Sequence, residues 1–402
     1  MWYVGLDWAD QHHDAVILDE AGRQAGSRRV AHTKEGLQEL KDFLLSVASE
    51  PEQLACIIET THGLLITFLL EAGLPVYPVN PKTVDRRRNA AGAKTDQIDA
   101  YLLAKTGRSD LADLRRLQPD SPKAAELKTL TRDQDSLIQM QTRLVNQLTA
   151  CLKDYYPVAL SLFCKLHQPS TLLFLQTYPT PQQAQMASIQ EIEAILRTAK
   201  HPTASCAATR ILEILRQPQL RANEVVIRAK SRLMLSLVRQ LQVVVQDIAA
   251  YEKEIRTLFL THPDRAIFAS LPRAGKRLAP RLLAEWGDDR ERYENAEALQ
   301  ALAGTAPVAF QSGKYAKAHK RYACVKPLRN ALYTFAWQTT LTETWALDYY
   351  QRKRAEGKSH SMAVRALANV WVRIIFAMWF NRTLYQAATF EKAQRLHAAH
   401  AA

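Results

Sequence analysis

The sequence predicts an α/β plus α chain: a mixed-sheet domain, then long coiled-coil helices, then a mainly helical C-terminal domain. Three observations carry this. Residues 1–110 alternate short apolar runs with amphipathic patterns, heptad-spaced leucines begin after Pro122 and recur after Leu237, and the last third reads as helices around one basic segment. The expected boundaries are 1–120, 121–262 with a helical insertion near 160–225, 263–385, and a disordered tail at 386–402.

Taken in order, Met1 to Leu6 is an apolar strand followed by Asp7, and Ala15 to Leu18 is a second strand ended by turn residues Asp19 to Gly22. A third strand covers Gly26 to Val30. Thr33 caps a helix whose stripe is Leu37, Leu40, Phe43 and Leu44. Leu54 to Ile58 is a buried strand followed by Glu59. His62-Gly63 opens a helix that closes near Gly73, and Val76 to Val79 is a further strand. Functional groups in such sheets collect beyond the carboxyl ends of strands. Lys94-Thr95-Asp96-Gln97-Ile98-Asp99 then places two carboxylates at i and i+3, on one helix face.

Each acid alone has a plain structural explanation, as a cap, a dipole partner or a strand-terminal charge. Asp7, Glu59, Asp96 and Asp99 together match a ribonuclease H-like (RuvC-like) arrangement, in which four carboxylates hold two magnesium ions about 4 Å apart for phosphoryl transfer. The run Arg86-Arg87-Arg88 and Lys94 stand ready for a nucleic-acid phosphate. Net charge +13 over 402 residues, with a pI near 9.5, points to a polyanionic partner. No apolar run reads as a membrane span, no secretion signal is evident, and five scattered cysteines argue against a zinc site or a disulfide frame. The expected compartment is the bacterial cytoplasm, at the nucleoid.

From Pro122, Leu130, Leu137, Leu144 and Cys151 recur every seven residues, with Gln134 and Gln141 interrupting the seam. Leu237, Leu241, Val244, Ile248, Tyr251, Ile255 and Leu258 form a cleaner seam, and the two helices are expected to pair antiparallel, within a subunit or against another. The insertion reads as polar and helical, broken at Pro169, Pro179, Pro202 and Pro218.

Leu271-Pro272-Arg273-Ala274-Gly275-Lys276, followed by a helix from Arg277 to Trp286, looks like half of a helix-hairpin-helix, which offers backbone N–H groups to phosphate. A basic loop follows, in which Ser312 stands beside Gly313, and Lys314, Tyr315, Lys317, Lys320 and Arg321 suit a nucleic-acid backbone. A turn serine is the plain alternative for Ser312. Leu328 to Trp345 reads as one aromatic-rich helix, with further helices to about residue 384.

Gly5-Leu6-Asp7, Ile58-Glu59-Thr60 and Lys94 to Ala100 resemble the DEDD domain of transposases of insertion-sequence family 110. Leu271-Pro272 with Gly275, Leu302 to Pro307, Gln311 to Lys314 and Leu328 to Tyr333 resemble that family's C-terminal transposase domain. Departures fall at His62, at Arg273-Ala274 and at Lys314-Tyr315. The resemblance implies a divalent-metal-dependent, serine-dependent DNA recombinase that excises and inserts a mobile element. It further implies an element-encoded bridge (guide) RNA that pairs with target and donor DNA, and a tetrameric homo-oligomer in which the acids of one subunit meet the serine loop of another. By motif, Asp7, Glu59, Asp96 and Asp99 hold Mg2+, with Mn2+ able to substitute, and Ser312 is the nucleophile. A serine hydroxyl needs a base or a metal to attack, and no Ser-His-Asp arrangement is evident. The absent P-loop agrees with strand exchange that conserves bond energy without ATP. The alternative is a ribonuclease H-like nuclease or junction resolvase that uses water.

Overall fold

A computed structural model describes residues 1–61, 63–80, 95–312 and 315–388, the side chains of Ser312, Tyr315 and Ala316 excepted. The chain divides into two compact units, Met1–Asp120 and Ser121–Ala402.

The first unit is built on a five-stranded sheet of order β3-β2-β1-β4-β5, formed by β1 (Trp2–Trp8), β2 (His12–Leu18), β3 (Gln24–Ala31), β4 (Leu54–Ile58) and β5 (Val76–Pro78). β1, β2 and β3 are antiparallel neighbours, whereas β4 runs parallel to β1 and β5 parallel to β4. The mixed sheet is therefore as expected, but β1 and β2 are longer than their apolar runs. Asp7 lies inside β1, because Asp7 pairs with Asp14 and Trp8 with His13. The ladder continues on backbone hydrogen bonds, which are indifferent to side-chain polarity.

Side chains alternate across the sheet. Val4, Leu6, Ala15, Ile17, Cys56 and Ile58 face α1 (Lys34–Leu45) and α2 (Leu64–Glu71). The opposite face carries Val16, Leu18, Ala55 and Ile57, packed on α3 (Asp96–Asp110). Thr33 caps α1 by accepting from Gly36 N, as its sequence position suggests.

In the second unit α4 (Pro122–Tyr155) and α10 (Glu224–Thr261) are the two long helices. They run antiparallel within this chain: Leu127 shares a core with Ile255, whereas Cys151 Sγ donates to the carbonyl of Lys230. Gln134 is buried in the seam, and the seam residues Leu237, Leu241 and Val244 are buried as well. Five short helices intervene: α5 (Ala159–Leu162), α6 (Pro169–Thr177), α7 (Pro181–Gln185), α8 (Ile189–Thr198) and α9 (Ala204–Leu215). The insertion was expected to be polar, and it is not. Leu162, Phe174, Ile192 and Ile211 build a core with one end of the long pair, because each short helix turns a narrow apolar stripe inward.

A second core gathers at the other end, around α11 (Arg265–Ala269), α12 (Gly275–Trp286), α13 (Ala296–Leu302), α14 (Lys326–Thr339), α15 (Thr344–Ala355) and α16 (His360–Asn381). Trp286, Trp371 and Trp379 are fully buried there. α12 begins two residues before Arg277, so Pro280 sits inside it. The single helix expected from Leu328 to Trp345 is broken after Thr339. The hydroxyls of Thr339 and Thr340 donate back to the carbonyls of Ala336 and Trp337, at 2.8 and 2.7 Å, and compete with the helical ladder.

Among the described residues α10 and α16 are long and apolar enough to cross a membrane, which corrects the expectation that no run is. Half of the apolar window of α16 is buried in the aromatic core, and α10 lies against α4. Such packing is the ordinary source of apolar helices in globular units.

The segment expected to be a basic loop is a hairpin of β6 (Val308–Ser312) and β7 (Tyr315–His319), with Ser312 paired to Tyr315. Ser312 and Tyr315 pair with two residues between them in the sequence, and a glycine first in such a pair is a hairpin signal.

Candidate active site

The acids of the first unit meet on the α3 side of the sheet. Gly5 and Asp7 project to this face of β1, His12 and Asp14 to the same face of β2, and Glu59 follows β4 on the Ala55–Ile57 side. α3 approaches closely because residue 5 has no side chain: a Cβ there would lie 1.8 Å from the carbonyl oxygen of Ala100. Thr95 caps α3 by accepting from Ile98 N at 3.2 Å, so the plain capping role of Thr95 holds as well. Asp96 and Asp99 both fall in the first turn, Asp99 buried at 7% exposure and Asp96 half-exposed.

The electrostatics show that these groups are neighbours. Burial, then the negative charges of Asp99, Asp96, Glu59 and Asp14 in that order, push the Asp7 carboxyl up to about 6. The other three acids picked out in the sequence thus all act on Asp7.

The structure adds three residues that sequence reasoning missed. Asp14 is a fifth acid, buried at 7% exposure and directly across the ladder from Asp7. Arg29, opposite Asp14 on β3, donates from Nε to both Asp14 oxygens at 3.1 Å and from Nη2 to Oδ2 at 2.8 Å. The same Nη2 reaches Asp96 Oδ2 at 3.1 Å, and His12 Nε2 lies 3.4 Å from that oxygen. Among the described residues His12, Asp14 and Asp96 are the trio whose ligand atoms all lie within 4.8 Å of one another. The closest grouping is therefore not the expected foursome: Asp96 leans toward Asp14 through a shared arginine. The clue in the sequence was the polar His12 and Asp14 at alternate positions just before an apolar run.

A donor set dominated by carboxylate oxygens, with one peripheral imidazole, fits a hard divalent cation such as Mg2+ or Mn2+. It does not resemble a thiolate or multi-histidine zinc site.

In the second unit, Arg273 takes a left-handed backbone (φ 60°) two residues before the first residue of α12. It is exposed and lines a cleft with Lys276, Arg277, Arg281, Thr334 and Gln338. Arg281 is bidentate on Asp135, at 2.8 and 3.1 Å, and Asp135 is the one acid among the lining residues. Arg277 and Arg281 were not singled out in the sequence. On the hairpin Lys317 and Lys320 are exposed, Lys320 Nζ lies over the Tyr322 ring at 5.4 Å, and Arg321 is half-exposed. Ser312 ends β6. Its side chain and that of Tyr315 lie outside what is described, as do Arg86, Arg87, Arg88, Lys94 and Lys314.

Two family models match the chain: one described as a transposase over residues 4–157, and one described as the transposase IS116/IS110/IS902 family over residues 265–351. The chain is 31% identical over 376 residues, 91% of each protein, to the "Mini-circle putative transposase for IS117" of Streptomyces coelicolor. It is 28% identical to the IS900 42 kDa protein of Mycobacterium paratuberculosis, covering 96% of this chain and 98% of that one. It is also 28% identical to the IS116 44.8 kDa protein of Streptomyces clavuligerus, covering 96% of each. With its acids gathered on one sheet face and both matched segments in the order read from its motifs, the chain belongs to the IS110 family of transposases.

Proposed function

We propose that this transposase is a metal-dependent serine recombinase, guided by a bridge RNA, that excises and inserts a mobile DNA element. The observation that carries the metal reading is the raised Asp7 carboxyl, surrounded by Asp99, Asp96, Glu59 and Asp14. So much negative charge on one face is costly without a cation. The sheet order β3-β2-β1-β4-β5 supports a ribonuclease H-like fold for the first unit.

Asp7, Glu59, Asp96 and Asp99 would hold the ions. Bound divalent metal supplies positive charge at the attacked phosphate and acidifies the attacking hydroxyl. Ser312 supplies the nucleophile: its Oγ–phosphorus bond forms as one phosphorus–sugar oxygen bond breaks. The serine proton passes to water, and the leaving sugar oxygen takes one up. The energy of the broken ester is kept in the new serine–DNA ester, so the strand can be rejoined to another end without ATP. Arg273, Lys276, Lys317, Lys320 and Arg321, with Arg86, Arg87, Arg88, Lys94, Lys314 and Tyr315, would bind the backbones of double-stranded DNA and guide RNA. Sequence would be read by base pairing, which suits a chain of net charge +13 acting as a dimer or tetramer.

A second reading has support too, because the acids gather within the first unit alone. In it, water is the nucleophile and Ser312 a hairpin residue, as in a junction resolvase. Trapping the reaction on DNA and locating a nucleotide on Ser312 by mass spectrometry separates the two. A Ser312→Ala protein that cleaves as well as wild type selects the resolvase.

A further inference from the structure

Arg29 occupies a position that neither the family match nor the motifs explain. It stands among carboxylates, anchored by three hydrogen bonds to buried Asp14 and extended by a fourth to Asp96. Asp96 Oδ2 also receives His12 at 3.4 Å. One proposed metal ligand is thus held by a protein cation, Arg29, on the side of Asp14. The charge count is suggestive. Asp7, Glu59, Asp96 and Asp99 carry four formal negative charges, which two divalent ions match, and Asp14 is a fifth whose charge Arg29 matches.

We propose that Arg29, fixed on Asp14, is a positioning residue that holds Asp96 in the metal-free protein and surrenders it to the entering divalent ion. Two features support exchange rather than a permanent bridge. Arg29 and Asp96 are both about half-exposed (55% and 53%), so their 3.1 Å contact is partly screened and cheap to break. Asp14, at 9% side-chain exposure, is the stronger anchor, and its bidentate geometry keeps the guanidinium in place after Asp96 leaves. The freed N–H groups of Arg29 then face the metal-bound side of the site, where a phosphodiester oxygen can accept from them. Arg29 therefore competes with metal for Asp96 and afterwards assists the substrate.

That double role predicts effects of opposite sign, and it rests on the metal reading above. The test is titration of the full, DNA-free chain with Mn2+, followed by calorimetry or electron paramagnetic resonance, alongside DNA cleavage. Arg29→Gln should bind Mn2+ about tenfold more tightly than wild type, since a competing charge is gone, and should cleave at least tenfold more slowly. Arg29→Lys keeps the charge and should stay within about twofold of wild-type affinity. Equal or weaker Mn2+ binding by Arg29→Gln, with its metal-free melting temperature unchanged, overturns the proposal. If that variant melts low, Asp14→Asn serves instead: Arg29 then leans wholly on Asp96 and metal binding should weaken, so unchanged affinity overturns it. A wild-type chain that takes up no Mn2+ removes the metal reading itself, and this proposal with it.

Discussion

Gly5 and Ala100 touch so closely that the strand and the helix have room for nothing between them: a Cβ on Gly5 would sit 1.8 Å from the Ala100 carbonyl oxygen and 2.4 Å from Ala104 N. Both obstacles are backbone, so no rotamer change relieves the clash. This contact sets how near α3, with Asp96 and Asp99, comes to Asp7. Gly5→Ala is expected to destabilise the first unit by about 3 kcal/mol or more. Metal affinity should fall with it. A soluble variant with wild-type melting and wild-type Mn2+ binding counts against this account of the site.

The pH dependence follows from the Asp7 carboxyl, whose folded pKa of about 6 lies above its ordinary 3.8. Between these values the folded protein holds a proton that the unfolded chain has lost. Stability from this group is therefore full below pH 4 and declines as pH rises to about 6. Metal competes with the same proton, so Mg2+ should raise the melting temperature more at pH 7 than at pH 5. Melting curves of wild type and Asp7→Asn, with and without Mg2+, check both points: the variant should lose this slope and most of the Mg2+ response.

In the second unit, Arg132 forks onto Glu285, at 2.7 and 2.8 Å, and Glu285 has a side chain only 1% exposed. Arg132→Met leaves a buried carboxylate alone and is expected to cost about 3 kcal/mol. Adding Glu285→Gln should recover part of that loss. Urea unfolding followed by tryptophan fluorescence reads the difference, since Trp286 is the next residue in α12.

Arg273 separates stability from binding. Its left-handed backbone (φ 60) strains any residue with a side chain. Arg273→Gly should therefore stabilise the chain by about 1 kcal/mol while weakening DNA affinity equally across sequences. The slope of log affinity against log salt should drop by about 1. A variant with unchanged salt dependence would show that Arg273 touches no phosphate.

Much of the frame was legible because it is local. The i, i+3 spacing of Asp96 and Asp99, the cap at Thr95, the apolar strand before Glu59 and the heptads of the long helices all follow from periodicities within one element. Other features failed locally. Apolar runs suggest where strands stop, but ladders end where partners stop, so Asp7 is internal to β1. The Ser312 segment reads as a loop because its strands show no apolar–polar alternation, and their pairing is set by the backbone ladder alone. A threonine-rich stretch ended α14 through hydroxyl–carbonyl bonds that no hydrophobic pattern records.

By itself the sequence determined which acids and cations the chain owns, and the helical or extended habit of the segments that bear them. Only the tertiary structure decided that Asp14 stands across from Asp7, that Arg29 spans Asp14 and Asp96, and that α3 lies against Gly5. The reason is register. Which residues oppose one another across antiparallel strands depends on the pairing of distant segments, and a slip of one residue would turn Asp14 to the other face.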